Sequence, residues 1–308
     1  MTKEAQSATL LVSPAQRDRS SFGARAGYMW SSLMRSPVGM LGVLITTLVL
    51  LTAIIGPSIS PFDPLKHNLR ARFKPPGFTT QYGTHWLGTD QLGRDILSRL
   101  ILGSRVSVVI GLVAAAIGST VGMAYGLISG YFGGRTDAVL MRIADAFLGI
   151  PFIVLVVAIS GVVGPGLFTL ILILGLTGWV TYARVARGEV LVIRNLEYVT
   201  AARVIGQKTP LIILRHLLPN VMALAIVLAA MEVGAVILAE SSLSFLGLGV
   251  QPPTVTWGLM LADGRQYLGS AWWMTTFPGI AISITVLGIV FVGDWLRDVL
   301  DPRMRGVD

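Results

Sequence analysis

The 308-residue chain has no cysteine, three histidines, and charged residues at only 13% of positions, about half the roughly 25% of an ordinary soluble domain. Without cysteine there is no disulfide framework and no thiolate for a metal or redox centre. His67, His85 and His216 are scattered, so a histidine metal cluster is not expected either. The lysines are Lys3, Lys66, Lys74 and Lys208, and none stands in a Gly-x-x-x-x-Gly-Lys-Ser/Thr setting, so the chain has no phosphate loop and cannot be its own ATPase. A Gly-x-Ser-x-Gly elbow is missing and no histidine falls inside an expected span, which removes the base of an intramembrane serine hydrolase. These absences leave two classes, transport or a structural or receptor role.

What the chain has instead is apolar length. Hydrophobic residues make up 53%, the mean hydropathy is +0.72, and charge-free windows run over 36–62, 106–134, 146–183, 241–262 and 266–293. Each exceeds the roughly 20 apolar residues that cross a hydrocarbon core. The formal net charge of +8 would suggest nucleic acid in a soluble chain. In a membrane chain the side on which the charges lie matters more, and no nucleic-acid partner is expected.

The pattern predicts an all-α integral membrane protein with six transmembrane helices in a lipid bilayer. The expected divisions are a tail at 1–36, helix one at 37–60, a loop at 61–105, a core of helices two to six at 106–296 with a loop at 183–219, and a tail at 297–308. Val38–Ile59 is too long for a signal-peptide core and is read as an anchor. Span two is expected over about 106–129, rich in small residues that let backbones approach. Gly164-Pro165-Gly166 marks a turn, so span three must start near Ala138, where Arg142 and Asp145, three apart, can pair. Span four is expected over about 167–181, span five over 221–239 with Glu232 inside it, and span six over 272–295 between tryptophans suited to the interface. With both termini inside, 16 Lys/Arg lie inside and 8 outside, so positive-inside bias places both termini in the cytoplasm.

Between spans four and five, Tyr198, Ala201, Ala202 and Ile205 fall at i, i+3, i+4 and i+7, one apolar stripe on a short helix. Gly206 stops that helix, and Thr209-Pro210 restarts another with Thr as N-cap. Pro219 follows at the entry to span five. The plain alternative is a basic interfacial loop that only sets topology. Ala201-Ala202-x-x-x-Gly206, with Ile213 and Leu218-Pro219, resembles the EAA loop of binding-protein-dependent ABC importer permeases. In that family the loop is a coupling helix that docks in a cleft of the ATPase subunit. The resemblance implies that Tyr198, Thr200, Ala201, Ala202, Arg203, Gly206, Ile213, His216 and Pro219 form this contact. Thr200 stands where the family often has Glu.

Ahead of span two, Gly88, Thr89, Asp90, Gly93, Arg94, Asp95, Arg99 and Arg105 make a long spaced motif similar to that of the dipeptide/oligopeptide permease group, specifically its C-type subunit. Glu240-Ser-Ser and the ending Gly293-Asp294 to Asp301-Pro302-Arg303 resemble the same group. Asp90, Arg94, Asp95 and Arg99 alternate in charge at helical spacing, as a solvated collar or a docking face for a partner would. Glu240, Ser241 and Ser242 are candidates for the outer gate or for a hydroxyl-capped helix end. Glu232, costly in lipid, must face protein or water, either in a structural hydrogen bond to a Ser or Thr or in the pore. The resemblance implies a type I ABC importer permease in a bacterial cytoplasmic membrane that moves a peptide, or alternatively nickel, an opine or another small solute. It implies no metal, no catalytic residue and no cofactor of its own, with ATP bound by two ATP-binding subunits. A second homologous permease and an extracytoplasmic substrate-binding protein complete the assembly.

Overall fold

The computed structural model describes residues 22–300, so the tail residues 1–21 and the Asp301-Pro302-Arg303 ending lie outside the described residues. Helix α1 (Phe22–Arg35) leads into α2 (Pro37–Ile59), which Ser36 caps by accepting a hydrogen bond from Gly39 N and which carries Pro in its first turn. A small hairpin of β1 (Phe78–Thr80) and β2 (Gly83–His85) follows. The remaining helices are α3 (Ile96–Phe132), α4 (Gly134–Leu148), α5 (Phe152–Val163), α6 (Leu167–Ile193), α7 (Glu197–Val204), α8 (Thr209–Ile212), α9 (Leu218–Phe245), α10 (Trp257–Gly264) and α11 (Trp273–Leu300). A five-residue π-helical segment, Ile213–Leu217, joins α8 to α9.

Among the described residues, five stretches are long and apolar enough to cross a membrane: α2, α3, α6, the continuous run Thr209–Phe245, and α11. Several differ from the expected bounds. α3 starts at Ile96, ten residues before the expected span, because Asp95 caps it by accepting from Ser98 N. α6 runs on to Ile193, so the first third of the expected 183–219 loop is helix. The third span is broken, with α4 and α5 meeting at 86° across Gly149–Pro151. Pro151 has no N–H to donate, its ring clashes with the carbonyl four residues back, and Ile150 before it is pushed out of the helical region. Asp145 does not pair with Arg142 three residues away; it reaches Arg184 on α6 at 2.6 Å.

Whether α4 and α5 together cross the membrane follows from how α3 packs on α6. Gly118, Gly122, Gly126 and Gly130 recur every four residues on one face of α3. They meet, in order, the backbones of Gly175, Trp179 and Ala183 and the region of Arg187–Val190 on α6. Both series rise together, so the two helices are parallel, and the chain between them must recross the bilayer exactly once. α4 and α5 are therefore one bent crossing, the crossings among the described residues number six, and the start of α2 and the end of α11 share a face. α11 runs antiparallel to both α2 and α9, with Gly288 against Ile45 and Gly293 against Met231.

Two of the four clusters of buried side chains among the described residues hold the elements at opposite ends of the bundle. One end is held by Ile96, Trp257, Met260, Trp273 and Met274. The other gathers Leu127, Ala186, Val190, Val199, Ala202, Leu217 and Val221, and so roots α7 in the ends of α3, α6 and α9.

Candidate functional site

At the end that carries α7, helix geometry sorts the expected contact residues into two sets. α7 ends in a Schellman motif: Gly206, at φ +78°, donates to Arg203 O, and Gln207 donates to Ala202 O, both at 3.0 Å. Val199 and Ala202 point into the core, so the stripe of Tyr198, Ala201, Ala202 and Ile205 is split. Ala202 is packed inside the chain and is not presented outward. The outward apolar set is Tyr198, Ala201, Val204 and Ile205, with Val204 80% and Ile205 81% exposed. Thr200 and Arg203 are exposed beside them, and Arg203 also lies over the Tyr131 ring at 5.2 Å, tying α7 to the end of α3. α8 starts after Lys208, which holds the N-cap position expected of Thr209, and no side chain makes a capping bond there. Ile213, His216 and Pro219 lie in or next to the π-helical segment.

Sequence reasoning missed the ion pairs that brace this end. Arg187 on α6 donates through Nε and Nη2 to the two oxygens of Asp137, at 2.5 and 2.6 Å, and Ser129 also donates to Asp137. Arg194 Nη1 donates to Gly130 O at 2.7 Å, satisfying a free carbonyl at the end of α3. Asp137 and Arg187 are fifty residues apart, so no periodicity in the sequence could reveal the pair.

At the opposite end, the motif at 88–99 folds as a buried knot and not as a solvated collar. Asp90 is its hub: Oδ1 accepts from Leu92 N and Arg94 N at 2.8 and 2.9 Å, and Oδ2 accepts from Arg94 Nε and Arg99 Nη1 at 2.6 and 2.5 Å. Asp263 on α10 closes the square, 3.3 Å from Arg99 and 3.5 Å from Arg94. Asp95 accepts from Ser98 N and Oγ while its second oxygen meets His85 Nδ1 at 2.8 Å. Thr89 donates to Ala71 O and accepts from Lys74 N. Gly93, at φ +74°, passes so close to the Asn68 carbonyl that a Cβ there would overlap it. Gly88, also at positive φ, lies against Lys74 O and Trp273, whose Nε1 donates to Thr89 O at 3.1 Å. Arg105, one turn and a half beyond Arg99, is exposed and outside the knot.

Glu240 is fully buried, accepting from Ser244 and Thr256 at 2.8 Å each and from Ser241 at 3.4 Å. Thr256 is also the N-cap of α10. The Glu240 carboxylate therefore fastens α10 to α9 and does not line an opening. Ser241 is buried and returns its hydroxyl to Ile237 O; only Ser242 of the three is exposed, and it donates to Leu238 O. Glu232, half-buried on α9, rests on Gly178 of α6, where an added Cβ would meet Oε1 at 2.5 Å. No Ser or Thr hydroxyl reaches it among the described residues. Tyr182, one turn along α6 and within its electrostatic range, is buried with no protein partner for its hydroxyl among the described residues.

Residues 122–306 match the family described as binding-protein-dependent transport system inner membrane component, and residues 25–76 match the N-terminal transmembrane domain of oligopeptide transport permease C. The chain is 42% identical over 277 residues to the dipeptide transport system permease protein DppC of Bacillus subtilis, covering 90% of this chain and 85% of that one. It is 40% identical to the probable D,D-dipeptide transport system permease protein DdpC of Escherichia coli over 298 residues, 97% of both chains. It is 40% identical to the oligopeptide transport system permease protein OppC of Bacillus subtilis over 90% of each. An inward-facing structure of the MetNI methionine ABC transporter shares the fold, with a TM-score of 0.54 at 21% identity over 65% of this chain and 96% of that one. Six crossings, a rooted helix with a bare apolar tip and these likenesses agree: the chain belongs to the binding-protein-dependent transport system inner membrane components, in the C-type permease group of dipeptide and oligopeptide transport systems.

Proposed function

We propose that this permease subunit forms half of the translocation path of an ATP-driven importer for dipeptides and oligopeptides. As a member of its family it moves a solute across the membrane and is not an enzyme. The peptide substrate rests on the relatives, DppC, OppC and DdpC, which are permeases of peptide transport systems. The observation that carries the coupling role is the tip of α7: Tyr198, Ala201, Val204 and Ile205 present bare apolar surface beside a chain that has no phosphate loop. That surface docks on a separate ATPase, which binds the ATP. A second homologous permease completes the pore, two ATPase subunits lie beneath, and a substrate-binding protein delivers the peptide from outside. Closure of the ATPase pair drives α7 inward and turns the pore from inward- to outward-facing.

In this reading the subunit lies in a bacterial cytoplasmic membrane with α7 and both termini cytoplasmic and the loop between α2 and α3 outside. The chain has no cysteine of its own, so single cysteines report cleanly. A cysteine at Gln81, exposed next to the hairpin turn, is expected to react with an impermeant thiol reagent in intact spheroplasts, and one at Val204 only after lysis. The reverse pattern would invert the topology.

Glu232, seated on Gly178, supplies a carboxylate facing the path, where it attracts the amino terminus of a peptide or a cationic side chain. Uptake of labelled dipeptides in a strain lacking this chain tests both statements. Wild type is expected to restore uptake, and Glu232→Gln to lower uptake of a Lys-containing dipeptide about 5- to 10-fold more than that of a neutral one, a loss of ~1–1.4 kcal/mol. No restoration of peptide uptake by wild type removes the peptide reading. An unchanged ratio for Glu232→Gln removes the path-facing role.

A further inference from the structure

Between the coupling helix and the span it would move, the backbone changes register. Ile213–Leu217 is π-helical, with Leu218 N donating five residues back to Ile213 O. The local cause is Pro219. It has no N–H for Arg215 O, and in an α-helix its ring would press on that carbonyl; widening the turn relieves the clash. π segments of one turn recur at functional positions in helices, and here one lies at the junction of α8 and α9.

The segment is fastened to α7 by side chains. Asn220 Nδ2 donates to His216 O, a carbonyl of the π segment, at 2.6 Å, and lies 3.5 Å from the Tyr198 hydroxyl of α7. His216 Nε2 meets Gln207 Oε1, just past the end of α7, at 3.1 Å. The Tyr198 and His216 rings are 6.0 Å apart. Leu217 and Ile212, on the inner side, are buried in the same cluster as Val199 and Ala202. The π segment is thus held to α7 on both sides, by packing within and by hydrogen bonds without.

We propose that this π segment, with Asn220, His216 and Gln207 as positioning residues, is the joint that converts displacement of α7 into rotation of α9. Tightening of the segment from i−5 toward i−4 pairing, as far as the Pro219 ring allows, would remove part of the extra residue from the turn. That turns everything beyond it by about 100° for each residue of register, or a part of that for partial conversion. α9 carries Glu232 toward α6 and Glu240 toward α10, so its rotation acts on both the middle and the far end of the path. Asn220 sets the resting register by satisfying the His216 carbonyl. The inference rests on α7 being the coupling helix.

The test is the assembled transporter in proteoliposomes with its ATPase subunits and binding protein, reading peptide moved per ATP hydrolysed and retention of the ATPase. Asn220→Leu keeps the size and removes the donor. Asn220→Ser restores a short donor that can reach the carbonyl four residues back. Pro219→Ala, at an exposed position, permits α-helical pairing. Asn220→Leu and Pro219→Ala are expected to lower peptide per ATP about tenfold, inside the ~5- to 150-fold range of coupling between sites. The ATPase stays bound, and Asn220→Ser stays within about twofold of wild type on the same scale. Wild-type stoichiometry in Pro219→Ala, or equal losses in the Leu and Ser variants, would overturn the joint. Failure of the wild-type complex to couple ATP to uptake would instead overturn the importer reading.

Discussion

Ile205→Asp is expected to abolish uptake while leaving the subunit inserted and folded. Ile205 is 81% exposed and follows the last residue of α7, with Val204 beside it at 80%. An aspartate there costs the isolated chain almost nothing, since neither side chain contributes to the buried cluster around Val199 and Ala202. In the assembly it puts a charge into an apolar contact, and a central apolar anchor of an interface is worth about 2–4 kcal/mol. That corresponds to roughly 30- to 900-fold weaker ATPase binding. Co-purification of the ATPase should fall to background, with normal membrane levels of the permease. Ala202→Glu separates the two faces: its side chain would enter the core, so it should lower the amount of folded permease itself. Normal ATPase retention by Ile205→Asp would show that the bare tip of α7 is not the docking surface.

The contrast between Ala202 and Ile205 marks where the sequence stops being informative. The spacing of Tyr198, Ala201, Ala202 and Ile205 reads as one apolar stripe, and a short helix with Gly206 behind it does form there. A helix used as a bridge has two apolar faces, however, one for its own core and one for the partner. Adjacent positions at i+3 and i+4 straddle the boundary between them. Periodicity locates the helix and cannot say which face is whose. Only the packing of Val199 and Ala202 against Val190 and Leu217 settles that.

A different limit applies at the motif of residues 88–99. Its alternating charges read as helical because Asp90, Arg94 and Asp95, Arg99 are four apart, yet the helix starts only at Ile96. Before it the chain is held in loops by Gly88 and Gly93, whose positive φ is natural for glycine and strained for other residues. The partner that completes the square, Asp263, lies 164 residues beyond Arg99. Glu240 carried a similar ambiguity. A carboxylate followed by two serines suits either an exposed gate or a sealed clasp, and the deciding partner, Thr256, is sixteen residues on. The break at Pro151 and the π segment before Pro219 were not foreseen in the sequence, although each follows from a proline that cannot donate to the turn behind it.

The glycines of α3 were legible as composition and not as geometry, and they carry the largest expected loss of stability. A Cβ on Gly122 or Gly126 would fall within the van der Waals envelope of the Trp179 or Ala183 carbonyl oxygen, a backbone atom that no rotamer change can move. Lipid chains are as apolar as leucine, so burial gives helices in a bilayer little reason to associate; close backbone packing does. Inserting volume into a packed core costs about 1–3 kcal/mol where side chains can yield, and here the helices must separate along their length. Gly122→Val and Gly126→Val are each expected to push the loss above that range and to leave little folded subunit in detergent. Gly188→Ala on α6, whose Cβ would meet nothing within 4 Å, should leave the melting temperature unchanged or raise it, since alanine favours helix over glycine by about 1 kcal/mol. The parallel pairing of α3 with α6 is also what makes α4 and α5 a single crossing, so the same variants probe the topology. Should Gly122→Val melt like wild type, α3 and α6 do not touch along this stripe, and the argument for six crossings fails with it.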